Sequence, residues 1–245
     1  MALVSLKLYS NALQMQTEVN VIIPQKIIED KKGNKSLYLL HGLSDDQSIW
    51  LRRTSIERYA EEYGICVIMP FGGRSFYFDQ INGEKYYSYI AKELPQVMRD
   101  LFGISDKREN TYIAGISMGG YGALKIALKE CDKFCGGAGL SSVANIKTEL
   151  IKEHLNNLLN GNTQIVDEDD LYRLIEEKEN DINKPKLYAW CGTEDFLYED
   201  NVAFKEYVKN FKYEFTYSES EGNHSWSSWD SQIVKVIEWM CADNK

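Results

Sequence analysis

"NTYIAGISMGGYGALKIAL", residues Asn110–Leu128, joins a strand to a helix through a glycine-flanked serine. A short run of strand character ends in Gly115-Ile116-Ser117-Met118-Gly119, and a helix-forming run follows without a break. A G-x-S-x-G between strand and helix describes a turn so sharp that its serine takes a strained backbone conformation. Side chains two residues to either side would collide there, and Gly115 and Gly119 remove them. Ser117 Oγ is thereby lifted above the sheet at the positive end of the following helix. Ser117 is the candidate nucleophile.

A serine hydroxyl is a weak nucleophile and needs a base that a carboxylate orients. In a fold with this turn the chain order is serine, acid, histidine. Downstream, "PKLYAWCGTEDFLYED" (Pro185–Asp200) ends its strand-like part at Gly192-Thr193, with Asp195 on the loop beyond. "YEFTYSESEGNHSWSSW" (Tyr213–Trp229) then runs into a turn carrying His224. Acid and base both fall just past strand ends, on the edge where Ser117 emerges. Glu194 is the main rival to Asp195, and Asp200 a weaker one; both also read as surface charge near a helix start. His154, in "IKEHLNNLLNG", reads as a surface or packing histidine of a helix.

The remaining histidine, His41, closes the strand of "SLYLLHGLSDDQSIW" (Ser36–Trp50). His224 already fills the base's place in the chain order, so His41 reads as structural, pinning its loop by side-chain hydrogen bonds. The loop itself matters more. An acyl-transfer site needs two backbone N–H groups aimed at the developing oxyanion, one from the residue after the nucleophile and one from an earlier strand-to-helix loop. Met118 and Leu43 are the candidates, with Gly42 allowing the backbone to approach closely.

Around this stretch the chain alternates. Strand-like runs recur at Ser5–Tyr9, Thr17–Ile23, Ser36–Leu40, Ile65–Met69, Thr111–Ala114, Lys186–Trp190 and Tyr213–Tyr217. Helix-period segments lie at Thr54–Tyr63, Tyr87–Phe102, Tyr121–Lys129, Val202–Asn210 and Ser231–Cys241. Strands alternating with helices imply crossovers and a mostly parallel sheet with helices on both faces. The first two strands are too close in sequence for a crossover and are expected to pair antiparallel. Residues 141–184 break the rhythm with helical patterns and no strand, and are expected to form a small cap-like insertion in one domain spanning 1–245. Its acidic run, "VDEDDLYRLIEEKEND" (Val166–Asp181), reads as a solvated helix.

Composition narrows the partners. The chain has 245 residues, 44% of them apolar, and a net charge of −9, which repels nucleic acid and anionic membranes. No apolar run approaches the roughly 18 residues that span a bilayer. The start, "MALVSLKLYS", carries a lysine inside its apolar stretch and does not read as a secretory leader. The five cysteines show no C-x-x-C spacing, and no further ligand lies near Cys131 and Cys135. A reducing, cytoplasmic setting is expected, with no metal and no cofactor.

"LYLLHGLSDDQSIW", "GISMGGYGALKIAL", "WCGTEDFLYE" and "GNHSWSSW", together with "KRENTYIAGISMGG" and "ELPQVMRDLF", resemble the esterase D-like group of α/β-hydrolases. That group includes bacterial tributyrin esterases, S-formylglutathione hydrolases, and feruloyl and acetylxylan esterases. The likeness runs in order over most of the chain, is greatest to the short tributyrin-esterase type, and is weakest over 141–184. It implies an α/β-hydrolase fold, Ser117, Asp195 and His224 as a triad, Leu43 and Met118 as the oxyanion hole, and self-association. S-formylglutathione hydrolases usually carry a cysteine soon after the His-Gly pair, where this chain has Ser44-Asp45-Asp46.

The expected activity is that of a serine carboxylesterase on short-chain or small aromatic acyl esters. The alternatives are a feruloyl or acetylxylan esterase acting on saccharide-linked esters, an S-formylglutathione hydrolase, thioesterase or acyltransferase, and, in a different class, a non-catalytic binding module on the same fold. For the substrate pocket the aromatic loop "FGGRSFYFDQINGEKYYSYI" (Phe71–Ile90) offers Phe76, Tyr77 and Phe78, though such a loop also packs on the core. Trp50, Phe196 and Trp226 neighbour the site residues in sequence and are further pocket candidates.

Overall fold

The central strands owe their place to burial on both faces. In the computed structural model, which describes residues 1–29 and 34–242, β3 (Ser36–Leu40), β4 (Cys66–Pro70) and β5 (Thr111–Ile116) are buried at every position. Ile113 of β5 joins one hydrophobic core while Tyr112 and Ala114 join the other. Successive side chains of a strand point to opposite faces, so a strand covered twice is apolar throughout rather than alternating.

These strands belong to one eight-stranded sheet with β1 (Ala2–Ser10), β2 (Met15–Ile23), β6 (Gly136–Leu140), β7 (Lys186–Gly192) and β8 (Phe215–Ser220). The order is β1-β2-β4-β3-β5-β6-β7-β8. β1 and β2 form an antiparallel hairpin and β2 also runs antiparallel to β4, while every other pairing is parallel. One face is covered by helices Ile56–Tyr63 and Trp226–Cys241, whose Ile56, Tyr59, Ile233 and Ile237 fill one core. The other is covered by helices Leu94–Phe102, Met118–Lys129 and Tyr198–Val208, with Met98, Leu124 and Phe204 in the second core. The fold is the α/β-hydrolase type, with a mostly parallel sheet between helical layers. Among the described residues no helix is long and apolar enough to cross a membrane.

One strand has no counterpart among those expected from sequence. β6 reads Gly-Gly-Ala-Gly-Leu, a composition of low strand propensity. Its glycines serve close packing instead. A Cβ on Gly137 would lie 2.6 Å from Ala127 Cβ of the helix Met118–Lys129, and one on Gly139 would lie 2.1 Å from Ser142 Oγ. β6 therefore lets that helix settle directly on the sheet. β8 also lies slightly further along than the run Tyr213–Tyr217.

Between β6 and β7 come helices Glu149–Leu159, Thr163–Glu168 and Leu171–Lys178, capped by the side chains of Thr148, Asn162 and Asp170. The acidic run is not simply solvated. Asp170, its cap, is buried and pairs with Lys147 at 2.8 Å. Asp169 is also buried; it accepts from Lys125 at 3.1 Å and pairs with Lys129, both on the helix Met118–Lys129. Lys125 is itself fully buried, with its ammonium 3.7 Å from the Phe78 ring centroid. Burial pushes its pKa down to about 8, with Asp169 acting in the opposite sense.

Candidate active site

At the end of β5 the backbone turns through Ser117 with φ 53° and ψ −118°, a left-handed conformation costly for a serine. The turn is held by the Ser117 N–H bonding to Leu140 O at 2.9 Å and by Tyr121 N–H bonding to Ser117 O at 3.1 Å. A Cβ on Gly115 would lie 2.4 Å from the Gly119 carbonyl, and one on Gly119 would lie 2.5 Å from His41 O. Both glycines are thus required by close backbone approach, and Ser117 is left partly exposed.

The parallel run β5-β6-β7-β8 brings the loops after β7 and β8 to the same edge. They are tied together by Thr193 N–H to Ser220 O at 3.0 Å and Glu194 N–H to Gly222 O at 2.9 Å. His224 Nδ1 lies 3.0 and 2.9 Å from the two Asp195 oxygens, and its Nε2 lies 3.0 Å from Ser117 Oγ. With Asp195 ionised, Nδ1–H donates to it, and Nε2 is left to accept the Ser117 hydroxyl proton. The carboxylate facing His224 is that of Asp195, whereas Glu194 is exposed. Burial alone would raise the Asp195 pKa. Hydrogen bonds from His224, the Leu197 N–H at 2.9 Å and Ser141 outweigh it and hold the carboxyl below its usual range.

Two residues around this trio escape sequence reading. Ser141 follows β6, is fully buried and has φ 48°; its Oγ accepts from Trp229 Nε1 at 3.1 Å. Trp229 also stands edge-on to the His224 ring, 4.9 Å between centroids. Acid and base are thus braced by one tryptophan, directly at the histidine and through Ser141 at the aspartate. A polar residue just past a strand on the active edge would have been the signal, and it was invisible because β6 itself was.

The oxyanion candidates follow from strand register. β3 and β5 pair in parallel with Leu40 beside Gly115, so Leu43 and Met118 lie equally far beyond the aligned pair. The segments touch, since Gly119 packs on the carbonyls of Leu40 and His41 and Gly42 packs near Ile116. His41 is buried, accepts from the Gly72 N–H through Nε2 at 2.8 Å, and has Nδ1 2.7 Å from Gly42 O. Its ring bonds inward to its own loop and to the loop after β4, and burial lowers its pKa.

The pocket candidates divide. Phe76, Tyr77 and Phe78 have exposures of 1%, 0% and 0%, so these rings lie in the core rather than on an open wall. Trp50 is also fully buried; it donates to Leu40 O at 3.1 Å and stands edge-on to the partly buried Trp226 at 5.0 Å. Phe196 is the exception. It is 66% exposed and its ring lies 4.5 Å from that of His224.

The model of the Esterase family matches residues 10–240. The chain belongs to that family. An acetyl esterase of Caldicellulosiruptor saccharolyticus is 34% identical over 263 residues, with 98% of each chain covered. Among solved structures, the substrate-bound fluorophosphonate-binding serine hydrolase F of Staphylococcus aureus is 35% identical, covers 98% of each chain and superposes with a TM-score of 0.87. An S-formylglutathione hydrolase of the same organism, also 35% identical with 98% of each chain covered, has a TM-score of 0.82. This esterase-family chain is accordingly a carboxylic ester hydrolase.

Proposed function

We propose that the chain hydrolyses short-chain acyl esters, acetyl to butyryl, through an acyl-enzyme on Ser117. The observation that carries this reading is the continuous hydrogen-bonded line from Asp195 through His224 to the strained Ser117. Ser117 Oγ attacks the ester carbonyl as His224 Nε2 takes its proton, and Asp195 stabilises the imidazolium. The N–H groups of Leu43 and Met118 receive the oxyanion. His224 then returns the proton to the departing alcohol, and water, activated by the same nitrogen, releases the acid.

Burial of Phe76, Tyr77 and Phe78 supports a small acyl group over a feruloyl one, because it withdraws the aromatic wall that a feruloyl ring would stack on. The likeness to an acetyl esterase points the same way. Action inside the cell is the companion proposal, resting on five free thiols. The test is kcat/KM on p-nitrophenyl acetate, p-nitrophenyl butyrate and methyl ferulate, with Ser117→Ala as the blank. Preference for acetate or butyrate is expected. Preference for ferulate would replace this substrate class, and turnover surviving in Ser117→Ala would end the mechanism.

A further inference from the structure

The helix that begins at Ser117 contains a glycine with no turn to make. Gly122 sits inside helix Met118–Lys129, where glycine is a poorer helix former than alanine. A Cβ there would lie 2.3 Å from Tyr77 Cδ2. On the other side, a Cβ on Gly72 would lie 2.6 Å from Tyr77 Cε1. Two absent side chains therefore form a slot that holds one tyrosine ring.

The ring enters this slot at a backbone cost. Phe76 and Tyr77 are consecutive non-glycine residues with φ of 48° and 55°. Buried groups hold them there. Lys125 Nζ donates to Tyr77 O at 2.8 Å and to Phe76 O at 3.4 Å, and Ser75 Oγ accepts from the Tyr77 N–H at 3.0 Å. At the far end of the ring, the Tyr77 hydroxyl donates to His41 O at 2.8 Å. That carbonyl belongs to the peptide leading into Gly42 and Leu43. The His41 imidazole grips the same loop from the other direction by accepting the Gly72 N–H.

We infer that Tyr77, seated by Gly122 and Lys125, is a positioning residue for the oxyanion loop. By holding the His41 carbonyl it fixes the His41–Gly42 peptide, and through it the next peptide, which presents the Leu43 N–H and whose Gly42 carbonyl lies 2.7 Å from His41 Nδ1. The inference rests on the oxyanion reading given above. It assigns the aromatic loop a part in the chemistry other than lining a pocket. An oxyanion donor works because it is already aimed where charge develops, and misplacement of about 1 Å at a reacting centre can cost 100-fold.

The test is Tyr77→Phe, which keeps the ring in its slot and deletes only the hydroxyl. Its kcat on p-nitrophenyl acetate is expected to fall on the order of 10-fold or more with KM nearly unchanged. The inhibition constant of a trifluoromethyl ketone, which forms a tetrahedral oxyanion on the serine, should rise by the same factor. Gly122→Ala should reproduce both effects from the opposite side of the ring, in folded protein checked by circular dichroism. A Tyr77→Phe enzyme with a lowered Tm but parental kcat and parental ketone affinity would overturn the inference, since a merely structural tyrosine behaves that way. Ser117→Ala separates the two levels. If it is inactive while Tyr77→Phe matches the parent, only the role of Tyr77 fails; if it still turns over, the site reading fails with it.

Discussion

Asp169→Asn keeps the shape of a side chain and removes the charge that faces a fully buried ammonium. In the parent, Asp169 accepts from Lys125 at 3.1 Å and pairs also with the partly exposed Lys129; the Lys125 side chain has 0% exposure. Removing one partner of a buried pair costs about 3–5 kcal/mol. The asparagine oxygen still accepts a hydrogen bond, so a loss below that range is expected near neutral pH. A ceiling exists because the variant can shed the Lys125 proton. With Lys125 at about 8 in the folded parent, that release costs about 2 kcal/mol at pH 6.5 and nothing by pH 9.

The sign of the pH dependence follows from linkage. Lys125 titrates at about 8 in the folded parent and near 10.4 when unfolded, so the unfolded chain binds more protons between those values. Parent stability from this group therefore rises with pH from about 8 upward. Losing the favourable charge of Asp169 moves the lower end of that window down in the variant, which begins to gain stability earlier. The deficit should shrink from about 2 kcal/mol at pH 6.5 to near zero at pH 9. Urea unfolding followed by tryptophan fluorescence at the two pH values, with the slope m unchanged, measures it. A loss under about 1 kcal/mol at pH 6.5, or an equal loss at both, would refute the buried-pair reasoning.

Asp195→Asn should lower kcat by about 10,000-fold while the protein still folds, because the amide favours the wrong imidazole tautomer; a loss under about 100-fold in steady-state assays would point to another acid. The depressed Asp195 pKa contributes stability that is present above the unfolded carboxyl pKa and is lost as pH falls through the folded value, so the variant's acid unfolding curve should be flatter below pH 4. Gly119→Ala places a Cβ 2.5 Å from His41 O and should reduce both Tm and kcat; an alanine variant with parental values would show that the turn has slack. Phe196→Ala removes the exposed ring beside His224 and should raise KM several-fold with kcat largely retained, and an unchanged KM for every ester tried would take Phe196 out of the substrate's path.

Local chemistry alone made part of this molecule legible from its residues. Uniform burial makes apolar runs, which marked β3, β4 and β5. The glycine spacing around Ser117 marked a turn that only such spacing permits. The order serine, aspartate, histidine at strand ends marked the edge where they meet. Tertiary structure decided the rest, because the deciding distances join residues far apart in the chain. β6 is a strand of glycines whose reason is a helix pressed against it. The choice of Asp195 over Glu194 depends on which carboxylate faces His224 from across the β7–β8 loops. Ser141 and Trp229 acquire their place only once β6 is in the sheet. Asp169 looks like one acid in a solvated run until Lys125, itself hidden among apolar neighbours in the helix sequence, is found facing it. Phe76, Tyr77 and Phe78 read equally as pocket wall or core, and only the slot between Gly72 and Gly122 shows which way Tyr77 turns.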